Sequence, residues 1–241
     1  MLPLLGFVVG FLVGLSGIGG GALMTPSLIF LGVEPLVAVG SDLLFASVTK
    51  MFGLVLYQKR GRIKWNLVAG LLLGSLPAVG LGFLILKTFS KDTLNHYLTL
   101  FLGVTLIASS FLNIVKERLY PKIKIKPYQL YFLGFVVGLI VQFTSVGAGV
   151  VVTFVLVNLA RLSPKDVAGV SIAYGLMLSA LSFLNYAYLG FVNLRMVGPL
   201  IAGSLPGVYV GVQVNSKVDE EKLRKLINFI ILVLGVAIVV V

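Results

Sequence analysis

GFVVGFLVGLSGIGGGAL, residues 6–23, and GFVVGLIVQFTSVGAGVV, residues 134–151, are two versions of one segment, set 128 positions apart. Each carries a glycine cluster inside an apolar run, residues 2–31 and 129–160, that is longer than one membrane crossing needs; about 20 residues span a hydrocarbon core about 30 Å thick. Glycine has no Cβ, so it tolerates positive φ and close backbone approach, and it weakens a helix wherever it clusters. Both runs therefore predict a helix that stops at its glycines, near residues 17–21 and 147–149, and starts again.

Working outward, six further apolar runs of ordinary length lie at 36–57, 66–86, 94–115, 166–188, 194–214 and 223–241. A second matched pair, GSLPAVGLG at 74–82 and GSLPGVYVG at 203–211, keeps nearly the same offset. The chain is therefore a duplication: a first repeat over 1–115, a basic connecting loop over 116–128 and a second repeat over 129–241. Internal duplication with interrupted hydrophobic segments at corresponding places is the sequence-level mark of many transporter folds and points to their binding site.

Composition agrees. The 241 residues are 59% hydrophobic and 11% charged, with a mean hydropathy of +1.09, which excludes an ordinary soluble domain. The net charge of +11 does not indicate nucleic-acid binding, because almost all Lys and Arg fall in short gaps between apolar runs. No cysteine is present, which removes disulfides and thiolate sites, and one histidine with eight scattered carboxylates cannot assemble a hydrolytic triad or a metal cluster. No enzyme activity, metal or cofactor is expected. The N-terminus, MLPLLGFVVG, has no basic region or cleavage pattern and reads as the first membrane segment.

The basic residues also choose between two topologies. If all eight runs cross once, Lys and Arg divide ten to eight between the two faces, which is no orientation signal. If the two overlong runs dive in and return, only Lys87, Lys91 and Arg195 remain on one face and fifteen gather on the other, with Lys50 left inside the membrane. The second count is the asymmetry that the positive-inside rule expects. The expected architecture is all-α, a polytopic protein of two inverted repeats, each with a glycine-broken re-entrant hairpin plus three transmembrane helices. Its basic loops would be cytoplasmic and both termini outside.

In such a hairpin the returning half-helix begins deep in the membrane, where its free N–H groups and positive dipole end favour an anion. Gly19, Gly20 and Gly21 in the first tip, with Gly147, Ala148 and Gly149 in the second, would supply amides; Ser16, Thr144 and Ser145 would add hydroxyls. The plainer reading of the same residues is close helix packing. Asp42 and Lys50 lie within the run 36–57, eight positions and about 12 Å of helical rise apart, so they cannot pair along a regular helix. Ionisable groups at membrane depth are costly without partners. Lys50 is a candidate for binding the anion, or it snorkels to the basic face; Asp42 is a candidate for coupling or gating, or it is a structural acceptor. Their counterparts in the second repeat are Ser171 and Ser179, so the charge is one-sided. Pro77 and Pro206, in the paired GSLP motifs, mark kinks or hinges. His96 and Trp65 read as interfacial residues without a binding role.

These stretches resemble the TauE/SafE family of sulfite and organosulfur-anion permeases. The resemblance rests on GFLVGLSGIGGGALMTPSLIFLGVEPLVAVGSDLLFASVTK (10–50), GLIVQFTSVGAGVV (138–151) and GRIKWNLVAGLLLGSLPAVGLG (61–82), and it covers nearly the whole chain. It implies a secondary transporter for small sulfur oxyanions such as sulfite, thiosulfate or sulfonates in the cell membrane, with a proton or sodium as coupling ion and a homo-oligomer left open. Where family members often carry Gly-Thr-Asp and a following His in the second repeat, this chain has Gly169, Val170, Ser171 and Tyr174. An anion channel on the same scaffold is the alternative, and a membrane subunit that only holds a partner is a third reading.

Overall fold

A computed structural model describes residues 1–16, 21–58, 63–114, 126–160, 162–215 and 220–240. Within them the protein is helical: α1 (Leu2–Ser16), α2 (Gly21–Phe30), α3 (Pro35–Gln58), α4 (Trp65–Thr88), α5 (Lys91–Ile114), α6 (Pro127–Thr144), α7 (Ala148–Thr153) continued by a π-helical turn (Phe154–Leu159), α8 (Pro164–Tyr188), α9 (Leu194–Asn215) and α10 (Glu220–Val240). The second overlong run is broken at its glycines, between α6 and α7; in the first, α1 and α2 lie on either side of residues 17–20, where the expected break lies outside the described residues.

Among the described residues, six helices are long and apolar enough to cross a membrane: α3, α4, α5, α6, α8 and α9. The sequence count of six ordinary runs takes α10 and omits α6; in α10 the apolar stretch found among the described residues is Lys225–Val240. α6 starts two residues before its apolar run, at Pro127, whose fixed φ suits a first helical position, and continues unbroken for 18 residues. The helical pieces are 15 and 10 residues long in the first overlong run and 18 and 12 in the second, counting the π-helical turn.

Glycine stripes set the helix pairing. Gly6, Gly10 and Gly14 of α1 lie on the backbone of Leu200, Ser204 and Val208, while Gly203, Gly207 and Gly211 of α9 lie on Pro3, Phe7 and Phe11. Residues four apart share one helix face, and apolar side chains gain nothing by leaving lipid. Contact therefore comes from backbones that small residues let approach. Both series rise together, so α1 and α9 run parallel. α4 and α6 do the same, with Gly134 on Leu71, Gly138 on Ser75 and Gly82 on Gln142.

Two other pairs run antiparallel. Ser47 of α3 hydrogen-bonds Ser179 of α8 at 3.1 Å, while Gly40 meets Tyr186 and Gly53 meets Ile172. Ser110 of α5 donates to the Asn228 carbonyl of α10 at 2.9 Å, and Gly103 meets Gly235 and Val239. Exchanging the two halves turns the α1–α9 pair into α6–α4 and leaves α3–α8 and α5–α10 unchanged. Two buried apolar clusters fill the interior, one built mainly on α4, α6 and α8 and the other on α1, α2, α9 and α10, with α3 and α5 contributing to both.

Candidate functional site

The break between α6 and α7 is a three-residue turn. Ser145 caps α6 in the left-handed conformation (φ 59°), with its N–H on the Val141 carbonyl at 2.9 Å, and Gly147 follows at φ 105°. A non-glycine residue at positive φ costs about 1 kcal/mol or more and persists where its surroundings over-determine it. Thr144 helps here: its hydroxyl donates to the Ile140 carbonyl (2.6 Å) and accepts from the Val146 N–H (3.1 Å). Val146 is buried in the apolar cluster built on α1, α2, α9 and α10, to which both halves contribute.

At the turn lies a cavity of about 70 Å³, room for about two waters. Residues 145–150 form one side, Ala22 at the start of α2 a second, and Lys50 of α3 with Ser171 and Ile172 of α8 the rest. The structure thus gathers Lys50, Ser145, Gly147 and Gly149, from both halves, around one small space. The first N–H groups of a helix lack intrahelical acceptors; at this one they belong to residues 148–150, since Val151 N–H already bonds the Gly147 carbonyl at 3.0 Å. Lys50 is half-buried and makes no ion pair or hydrogen bond among the described residues. Its side chain runs over Gly175, where an added Cβ would stand 3.3 Å from Cε and 3.4 Å from Nζ.

Asp42 is set apart from the cavity. It is fully buried, and one carboxylate oxygen accepts the Thr25 hydroxyl of α2 at 2.5 Å. Thr25 in turn stands 3.5 Å from the Thr144 carbonyl, joining one broken segment to the other. At the matched positions of the second half, Thr153 and Ser171 hydrogen-bond at 3.2 Å. The architecture is repeated, but only one copy carries a charge.

Other expected residues fall differently. Ser16 ends α1 and Gly21 begins α2, while Gly19 and Gly20 lie outside the described residues. Pro77 and Pro206 sit inside continuous helices, α4 and α9. Tyr174 is buried away from the cavity and ties three helices together, 2.7 Å from the Ser75 hydroxyl and donating to the Gly134 carbonyl at 3.4 Å. No group of three or more His, Cys, Asp or Glu that could hold a metal occurs among the described residues. Thr25, Ala22 and Gly175 escaped the sequence reading. Thr25 was within reach of it, because adding the repeat offset of 128 lands on Thr153 and joins two threonines to two positions already paired.

The family model described as "Sulfite exporter TauE/SafE" matches residues 2–238. A probable membrane transporter protein of Bacillus subtilis, YjnA, is 33% identical over 98% of both chains. A probable membrane transporter protein of Methanocaldococcus jannaschii, MJ0441, is 25% identical over 98% of this chain and 94% of its own. No solved structure matches the chain.

Proposed function

Because the chain belongs to the TauE/SafE sulfite exporter family, we propose that it is a secondary transporter. It moves small sulfur oxyanions (sulfite, thiosulfate or sulfonates) across the cytoplasmic membrane by alternating access around the two helix breaks. The observation that carries this reading is Lys50: a cation without an ion-pair partner, on the wall of a small cavity where both halves meet. A charge left so is destabilising until an anion arrives. The amides of residues 148–150 would then hold the oxyanion from the other side, with Ser145 and Ser171 as hydroxyl contacts. Ser16 and Gly19–Gly21 would complete the site from the first break.

In this reading the halves are inverted repeats and each broken pair of helices is a re-entrant hairpin. Helix directions support it. α4, α6 and α8 start on one face, since α4 runs parallel to α6 and Lys64, just before α4, pairs with Asp166 in the first turn of α8 at 2.9 Å. A chain that starts α6 and α8 on the same face must return between them, and α7 with its π-helical turn is the segment available. By the sequence count, fifteen loop Lys and Arg would gather on that face, which would make it cytoplasmic and leave both termini outside. Asp42 couples or gates; Pro77 and Pro206 act as hinges.

The test is flux into liposomes containing this protein alone. Labelled sulfite, thiosulfate and a sulfonate should enter with saturation, and Lys50→Ala should abolish specific flux. A charged hydrogen bond contributes about 1.5–3 kcal/mol, so the half-saturation concentration should rise at least tenfold in any residual uptake. Unchanged saturable uptake in that variant would remove Lys50 from the site. Flux that stays linear with concentration would make the protein a channel, and no flux at all would leave a membrane subunit that serves a partner.

A further inference from the structure

Next to the Lys50 cavity, and sharing the Ser145 hydroxyl with it, is a second set of oxygen atoms. Asp42 has one oxygen on Thr25 and its other, Oδ1, buried with no partner. The Ser145 hydroxyl is buried and unpartnered as well, and it faces the same carboxylate from outside hydrogen-bonding geometry. The Thr144 carbonyl, at the end of α6, lies beside the Thr25 hydroxyl. A buried polar atom without a partner loses its hydration for nothing, and native structures keep few of them. Both atoms keep lone pairs that a bound cation would use. Lys50 is the charged side chain that Asp42 feels, but it lies too far away to form an ion pair and belongs to the cavity.

We propose that a sodium ion binds here, between Asp42 and Ser145, with the Thr25 hydroxyl and the Thr144 carbonyl completing an all-oxygen shell. Hard cations take such ligands. The C-terminal end of α6 directs its negative dipole end at the site, and unwound carbonyls at half-helix ends are where transporters hold their cations. The single carboxylate of this set matches one positive charge, and no group of three or more His, Cys, Asp or Glu occurs among the described residues. A proton on Oδ1 would be donated to the Ser145 hydroxyl oxygen, so acid and sodium compete for the same place. The second half, with Ser171 and Thr153 at the matched positions, has no charge and holds no cation, so each chain binds one. As a binding site this stands alone; as the coupling-ion site it rests on the transporter reading above. Sodium at Asp42 and an anion at Lys50 attract one another, so each raises the other's affinity by the same factor.

Melting of the purified full-length protein in sodium chloride against choline chloride, at equal ionic strength and without any sulfur anion, tests the site. At a hundredfold excess over Kd, sodium should raise the melting temperature by about 5–10 °C. Asp42→Asn should lose that increment and Ser145→Ala should need at least tenfold more sodium. Ser182→Ala, at another buried unpartnered hydroxyl on α8, should keep it. Ser145→Ala removes a single oxygen, so it carries the test should Asp42→Asn fail to fold. Equal melting in the two salts, an unshifted sodium titration in Ser145→Ala, or stabilisation by acid with no response to sodium would each overturn the proposal. Sodium stabilisation in a protein that moves no anion would reject the transporter reading and keep the site. Anion flux without sodium stabilisation would do the reverse.

Discussion

Thr25 and Thr153 occupy matched places in the two repeats but donate to different acceptors, and that difference sets the size of a paired mutational effect. Thr25→Val keeps the shape of a fully buried side chain and deletes its bond to Asp42, leaving a carboxylate in the interior with neither oxygen satisfied. Hydrogen bonds to charged groups contribute about 1.5–3 kcal/mol. At about 2–4 °C per kcal/mol for a chain of this length, the melting temperature should fall by about 3–12 °C. Thr153→Val deletes a longer, neutral bond to Ser171 from an exposed position, at the lower end of the range, about 0.5 kcal/mol and 1–2 °C. The assay is thermal unfolding of both variants in detergent, in choline chloride so that sodium does not contribute. A Thr153→Val loss equal to or larger than that of Thr25→Val would refute the assignment of Asp42 as a charged acceptor held by α2.

Three further outcomes follow from the packing. Gly207→Ala should lower the melting temperature, because its Cβ would fall on the backbone of Phe7 and Phe11, which cannot rotate away; Gly80→Ala, with open space around it, should leave it unchanged or raise it slightly. Gly175→Ala should fold normally, since the crowded atoms are the far end of flexible Lys50, but shift the half-saturation of anion uptake several-fold; unaltered uptake kinetics would argue that the lysine's position is immaterial. With no native thiols in the chain, Gly61→Cys and Ser163→Cys should both react with a membrane-impermeant reagent from the same face. Labelling from opposite faces would mean that the segment between them crosses an odd number of times, against the Lys64–Asp166 pair.

Much of this protein could be read without coordinates. The all-helical class and the break between α6 and α7 follow from hydropathy and composition, because in lipid every backbone group must be satisfied within its own segment and glycine clusters are where that fails. Lys50 and Asp42 announced themselves by the cost of a charge at that depth. Tertiary structure alone decided that they do not share a fate. Asp42 is held by Thr25 across a helix gap, whereas Lys50 is left without an ion pair beside the turn of the opposite half. Which helix pairs with which was likewise invisible. The stripe at Gly6, Gly10 and Gly14 declares a face that must meet another backbone, but its partner, nearly two hundred residues later in α9, is set by how the two halves of the chain fit together in three dimensions. Sequence periodicity specifies a surface, and only packing selects what covers it.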